Sequence, residues 1–228
     1  MPNQETSLRE ILDTLQAEPK VTTSALPVIC VLCKLVEKSV LTALAFFFSE
    51  FVNDPAIRVN IRRSRGFCRE HTQSLLSCGD ALGIAILYSD LLDHTLTQWK
   101  ERPPKRSRFP LGRSMPHNPQ APCPACAVAQ EATARYVNAL AQGLEHSEVC
   151  RALEESPPLC VTHVERVLTQ AKPQQGKFLL DLEKRRLEAL YTELEETIRK
   201  NDYRFSHEEW GEEKDAWLRA LIRLTRPE

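Results

Sequence analysis

The chain has 228 residues, 42% of them apolar, with a formal net charge of −1 and a pI near 6.6. This near-neutral balance argues against a nucleic-acid-binding protein, which usually carries a basic excess. Only 7 glycines, together with abundant Leu, Ala, Glu and Arg, favour helices. No segment alternates as a strand does, so we predict an all-α fold.

The N-terminal residues lack the basic and apolar segments of a secretory signal. A helix is predicted across residues 8–16, with Leu8, Ile11, Leu12 and Leu15 on one face. The most apolar run, SVLTALAFFF at 39–48, has about half the ~20 residues that a membrane-spanning helix needs. We therefore expect a cytoplasmic protein without a membrane segment, in which cysteines act as ligands or reactive thiols rather than as disulfides.

Two cysteine motifs in the first half begin a pattern that the second half repeats. Cys30-x-x-Cys33 precedes a long helix, and a turn follows in which Asp54 caps a short helix at about 56–63. A second motif, Cys68-x-x-His71, then leads to a longer helix at about 81–100. A shift of 92 or 93 residues aligns these ligands with Cys123, Cys126, Cys160 and His163. The second copy closes with a helix at about 177–200, in which Leu187, Tyr191, Leu194 and Ile198 form an apolar stripe.

The duplication predicts five segments. They are an N-terminal helix and lead-in at 1–29, a first helical repeat at 30–100, a basic and proline-rich linker at 101–122, a second helical repeat at 123–200, and a C-terminal segment at 201–228. In the C-terminal segment we predict a helix from about Ser206 to Leu224 whose buried stripe is Trp210, Trp217, Leu221 and Leu224.

Each repeat carries the donor set Cys3His, which is a usual structural set for zinc. Equal spacing in both copies predicts two zinc ions per chain, each bound within its own repeat: one by Cys30, Cys33, Cys68 and His71, the other by Cys123, Cys126, Cys160 and His163. Iron–sulfur ligation by the same residues, thiol–disulfide chemistry at the C-x-x-C pairs, and plain core cysteines remain alternatives. Cys78 and Cys150 have no counterparts in the other repeat.

The double C-x-x-C…C-x-x-H pattern, the stretches NDPAIRVNIRRSRGFCREH and LGIAILYSDLL, and the ending IRKNDYRFSHEEWGEEKDAW resemble a prokaryotic family catalogued only as domain of unknown function 6062. The resemblance runs from about Cys30 to Trp217 and brings no activity with it. Its ending directs attention to Lys200, Asp202, Tyr203 and Arg204 as the edge of a binding groove.

The sequence contains no phosphate-binding glycine loop, no G-x-S-x-G motif and no dinucleotide-binding fingerprint. The function that it favours is a non-enzymatic, metal-binding scaffold that interacts with another protein. A redox protein is the competing class, based on either an iron–sulfur cluster or thiols.

Overall fold

The computed structural model describes residues 4–17, 30–78, 80–100, 121–205 and 207–225. These residues contain no strand, and the all-α prediction is confirmed. The helices are α1 (Gln4–Ala17), α2 (Val31–Phe46), α3 (Pro55–Ser64), α4 (Arg69–Cys78), α5 (Ala81–Lys100), α6 (Pro124–Gly143), α7 (Ser147–Glu155), α8 (Val161–Leu168), α9 (Pro173–Lys200) and α10 (Ala216–Leu224). A π-helical turn at Phe47–Phe51 extends α2, and a 3-10 turn at Glu212–Asp215 leads into α10.

Two compact units make up the chain, and the divisions between them fall inside α2 and α6. The first unit comprises Met1–Val36 and Ala132–Glu228, and the second comprises Glu37–Glu131. The core of the first unit combines the start of α2 with the end of α6, and the core of the second combines the end of α2 with the start of α6. Each unit therefore draws on both predicted repeats, 30–100 and 123–200. Residues 101–120 of the predicted linker lie outside the described residues.

Local sequence signals correspond to the observed helix starts and faces. The Asp54 carboxylate accepts hydrogen bonds from the backbone N–H groups of Ala56 and Ile57, at 2.7 and 3.2 Å, which caps α3 as predicted. In α1, Ile11 and Leu15 are buried, and Leu8 and Leu12 pack against the same core. Within the described residues, no helix combines the length and the apolar content that crossing a membrane requires.

The predicted stripe of the C-terminal helix is wrong. That helix begins at Ala216, and Ser206, where its start was predicted, lies outside the described residues. The stripe residues are exposed instead of buried: Trp210 by 44%, Trp217 by 57%, Leu221 by 62% and Leu224 by 63%. The stripe of α9 also points outward in part, since Tyr191 and Ile198 are exposed.

Charged contacts explain the orientation of α10. Arg223, which is 5% exposed, forms an ion pair with the buried Glu183 of α9, and the pair fixes which face of α10 turns inward. Glu183 also accepts a hydrogen bond of 2.9 Å from Arg186. Arg186 in turn donates to the backbone carbonyls of Leu153 and Ser156, at 2.7 and 2.8 Å, and so ties α9 to the end of α7.

Replacement of Glu183 tests this network. We expect Glu183→Gln to lower the free energy of unfolding by about 3–5 kcal/mol, because it leaves buried arginine charge without its counter-charge. The matched control is Glu188→Gln on the same helix, whose pair with Lys184 is exposed on both sides and contributes less than about 1 kcal/mol. Urea unfolding followed by circular dichroism measures both variants. Equal losses in the two variants would contradict a structural role for the network.

Candidate metal centres

Four helices begin at the four cysteine motifs. The backbone carbonyls of Cys30, Cys68, Cys123 and Cys160 accept the first intrahelical hydrogen bonds of α2, α4, α6 and α8, from Lys34, Thr72, Ala127 and Val164, at 2.9 to 3.2 Å. The first cysteine of every motif is therefore an N-cap residue, and the second ligand lies three positions later, at N3. Side chains at N-cap and N3 reach the same side of a helix start, as the capping box demonstrates. This is why a spacing of two intervening residues recurs in all four motifs.

The first cluster lies entirely within the first unit. It brings Cys30 and Cys33 from the start of α2 to Cys160 and His163 from the start of α8. The Nδ1 atom of His163 lies 3.6 Å from the Sγ of Cys30, 3.3 Å from that of Cys33 and 3.1 Å from that of Cys160. The Sγ atoms of Cys33 and Cys160 are 3.8 Å apart. Cys30, Cys160 and His163 are buried, so the cluster is nearly closed to solvent.

The second cluster lies entirely within the second unit. It brings Cys68 and His71 from the start of α4 to Cys123 and Cys126 from the start of α6. The Nδ1 atom of His71 lies 3.1 Å from the Sγ of Cys68, 3.9 Å from that of Cys123 and 3.4 Å from that of Cys126. The Sγ atoms of Cys68 and Cys126 are 3.7 Å apart. Only His71 is buried, so this cluster is more open than the first.

The donor atoms have the spacing of four ligands around one ion. Bonds of about 2.3 Å from zinc to sulfur and 2.0–2.1 Å from zinc to nitrogen, at tetrahedral angles, place two sulfurs about 3.8 Å apart and a sulfur and a nitrogen about 3.6 Å apart. The observed separations of 3.1 to 3.9 Å surround these values. All donor atoms of each cluster lie within 4.8 Å of one another. Both clusters therefore fit a single tetrahedral metal ion.

The prediction that each ion is bound within its own repeat is wrong, because each cluster combines the C-x-x-C of one repeat with the C-x-x-H of the other. Helix lengths give the physical reason. The 16 residues of α2 and the 5 of the π-helical turn extend about 30 Å, whereas the 10 residues of α3 return only about 15 Å. The second half repeats this relation, with 20 residues in α6 and 9 in α7. A returning helix of about half the length cannot bring the C-x-x-H motif back to the C-x-x-C motif at the start of the long helix.

The segments that lead into the two C-x-x-H motifs share one serine contact. Ser64 and Ser156 are both buried, and each donates its hydroxyl to the carbonyl three residues earlier, of Ile61 at 3.0 Å and of Leu153 at 3.1 Å. In the second unit, Arg65 at φ 58° and Gly66 at φ 90° then turn the chain out of α3. These contacts orient the chain just before Cys68 and Cys160.

Burial raises the pKa of Cys30 to about 12, and partial burial raises that of Cys126 to about 12. Contact with the Cys160 thiol raises the pKa of Cys33, and the neighbouring Cys30 and Cys33 thiols lower that of Cys160. A bound divalent ion replaces these protons and compensates the thiolate charge, so metal binding releases protons.

One contributor to the first cluster was not predicted from the sequence. The Glu183 carboxylate accepts a hydrogen bond of 3.4 Å from the N–H of Leu159, the residue that precedes Cys160. The sequence contains one indication of this role, because Glu183 is charged but lies on the same buried face of α9 as the apolar residues at 179, 182 and 190. The side chains of Cys78 and Cys150 belong to neither cluster, and Cys150 donates to the carbonyl of Leu144 at 3.4 Å.

The four residues predicted to edge a groove lie around the end of α9. Lys200 donates to the carboxylate of Glu213 and to the carbonyl of Glu209, both at 2.7 Å, and this contact lowers the pKa of Glu213 to about 2. Asp202 and Arg204 pair with each other at the surface, and Tyr203 is 86% exposed. Lys200 thus links α9 to the 3-10 turn, while the other three residues face solvent at least in part.

A family model described as a family of unknown function (DUF6062) matches residues 26–227. The chain belongs to this family. A relative from Caldicellulosiruptor sp. (strain Rt8B.4), described as "Uncharacterized 23.9 kDa protein in xynA 3'region", is 28% identical over 195 residues, which cover 84% of this chain and 92% of the relative. No solved structure matches the chain. The resemblance found from the motifs is thereby confirmed.

Double variants test the grouping of the ligands. Cys33→Ser with Cys160→Ser removes two ligands from the first cluster, and we expect the chain to keep about half of its bound metal because the second cluster is intact. Cys33→Ser with Cys68→Ser removes one ligand from each cluster, and we expect nearly all metal to be lost after dialysis. Elemental analysis by mass spectrometry measures both. If each ion were bound within one repeat, the result would be reversed: the variant with Cys33→Ser and Cys68→Ser would keep about half of its metal, and the other variant would lose nearly all of it.

Proposed function

We propose that this protein is a non-catalytic helical scaffold in which each Cys3His cluster binds one structural zinc ion. The observation that carries the proposal is the spacing of the donor atoms, which suits one tetrahedral ion in each cluster. All four positions around such an ion are filled by protein side chains. A site without an open position has no place for substrate or for an activated water, and is structural.

The spacing also favours a single ion over an iron–sulfur cluster. In a [4Fe–4S] cluster each ligand binds a different iron, so the ligand sulfurs lie farther apart than around one ion. Sulfur–sulfur separations of 3.7 and 3.8 Å support one ion. Iron–sulfur ligation is therefore the second candidate, and metal analysis separates the two.

Thiol–disulfide chemistry is less well supported. An attacking cysteine at a C-x-x-C motif needs a lowered pKa. Here burial raises the pKa of Cys30, and the pKa values of Cys33 and Cys126 are raised as well. Redox chemistry at the C-x-x-C pairs would also not explain why His71 and His163 lie among the thiols.

A structural zinc protein of this kind acts through its surface, and we infer that its partner is another protein. Solvent-facing Tyr203, next to the surface pair of Asp202 and Arg204, supports a contact at the end of α9. Aromatic and arginine side chains are enriched where proteins bind one another. We place the protein in the cytoplasm, where a reducing environment keeps zinc-binding thiols from forming disulfides.

Metal analysis tests the proposal. Protein purified under anaerobic conditions is expected to be colourless and to contain two zinc ions per chain, one for each cluster. A brown protein with visible absorbance from iron and sulfide would contradict zinc and favour the redox class. Protein with neither metal would contradict both readings.

A structural role requires that loss of one ion also lower stability. We expect Cys126→Ser to keep one zinc and to unfold at a lower temperature, because the binding of structural zinc contributes directly to folding. Cys78→Ser is the matched control, since Cys78 is also a half-buried cysteine of the second unit but lies outside the cluster. The control is expected to keep both ions and its melting temperature. A Cys126→Ser variant that loses zinc without a change in melting temperature would contradict the structural role.

A further inference from the structure

Helix α5 has a second apolar stripe opposite its buried one. The buried side of the helix carries Gly83, Leu87 and Leu91, which face the core of the second unit. On the opposite side, six exposed residues follow one another at spacings of three and four: Leu82, Ala85, Ser89, Leu92, Leu96 and Trp99. We call these six residues the α5 seam. Its large side chains are 71%, 62%, 51% and 64% exposed at Leu82, Leu92, Leu96 and Trp99.

The spacing of the α5 seam is that of a coiled-coil interface. Alternating intervals of three and four residues keep side chains on one line along a helix that packs against a second helix. An amphipathic helix at the surface of a globular protein needs only one apolar stripe, and α5 already buries one. Within the part of the chain that the structure describes, no residue covers the seam enough to bury its large side chains.

We propose that a second copy of this chain packs antiparallel along the α5 seam. A two-fold axis between positions 90 and 91 places Leu82 opposite Trp99, Ala85 opposite Leu96, and Ser89 opposite Leu92 of the other copy. The small residues at 85 and 89 then face leucines, so that no layer pairs two small side chains. A parallel pair would instead place Ala85 and Ser89 against themselves, which leaves gaps, and two Trp99 rings against each other.

The exposed area approaches the lower limit for a specific symmetric interface. With about 250 Å² for a whole tryptophan and about 120 Å² for a leucine side chain, the large seam residues expose on the order of 400 Å² per copy. Two copies therefore bury about 800 Å² from these side chains alone, and the flanking residues bring the total toward the ~1,000 Å² of a specific interface. An interface of this size predicts a dimer whose population depends on protein concentration.

The charges beside the α5 seam are compatible with this pairing. Its flanking positions are Ala81, Tyr88 and Thr95 on one side and Ile86, Asp93 and Lys100 on the other. In the antiparallel register Asp93 lies beside Ile86 of the other copy, so no two acidic side chains meet. The opposed helix dipoles add a further favourable contribution.

Sedimentation of the zinc-loaded full chain tests the proposal. At about 100 µM protein we expect the wild type to sediment with twice the 26.0 kDa chain mass, and Leu96→Glu to sediment as a monomer at the same concentration. The control is Tyr191→Glu, which places the same charge at an exposed apolar residue of α9 and is expected to leave the dimer intact. Helix content and bound zinc of both variants are compared with those of the wild type to establish that they are folded.

Mixing two variants tests the antiparallel register. Ala85→Lys and Leu96→Glu are each expected to be monomeric, whereas an equimolar mixture forms a heterodimer in which Lys at 85 meets Glu at 96. The proposal is overturned if the wild type is a monomer, if Leu96→Glu remains a dimer, or if Tyr191→Glu alone dissociates it. A mixture that stays monomeric overturns the register. Two zinc ions in a monomeric wild type would refute this interface without affecting the proposed structural role of the metal.

Discussion

The meeting of two helix N-termini at each Cys3His cluster is the constraint on which the rest of the structure depends. Cys30 and Cys160 both begin helices, and the same is true of Cys68 and Cys123. Both the positive ends of these helices and a bound cation stabilise thiolates, so the two effects act together. An ion bound at either cluster would need the N-cap and N3 side chains of two helices, and it would therefore fix which helix starts lie side by side.

The grouping of the cysteine motifs makes the two predicted repeats interdependent. Residues 30–100 contain one complete C-x-x-C and one complete C-x-x-H, yet these motifs belong to different clusters. Neither predicted repeat holds a complete cluster, although each contains four of the eight cluster residues. The core follows the same rule, because each unit combines half of α2 with half of α6. Each compact unit thus combines residues of both predicted repeats.

The sequence predicts local features well and long-range pairing poorly, for identifiable reasons. The four cysteine motifs, the cap at Asp54 and the apolar face of α1 depend on residues within a turn or two of one another. The grouping of ligands depends instead on the relative lengths of α2 and α3, which spacing between motifs does not reveal. The orientation of α10 depends on the ion pair between Arg223 and Glu183. A prediction from the apolar pattern places Trp217 and Leu221 in the core, because the pattern does not reveal a charged contact with a distant residue.

The two units position their C-x-x-H motifs with different contacts that serve the same purpose. In the second unit, Arg62 of α3 forms a two-pronged hydrogen bond with Asp90 of α5, so the arginine lies on the short helix. In the first unit, Arg186 lies on the long helix α9 and donates to the carbonyls at the end of α7. Both contacts join the short helix before a C-x-x-H to the long helix after it. Both units therefore hold these helices together through an arginine, which lies on the short helix in one unit and on the long helix in the other.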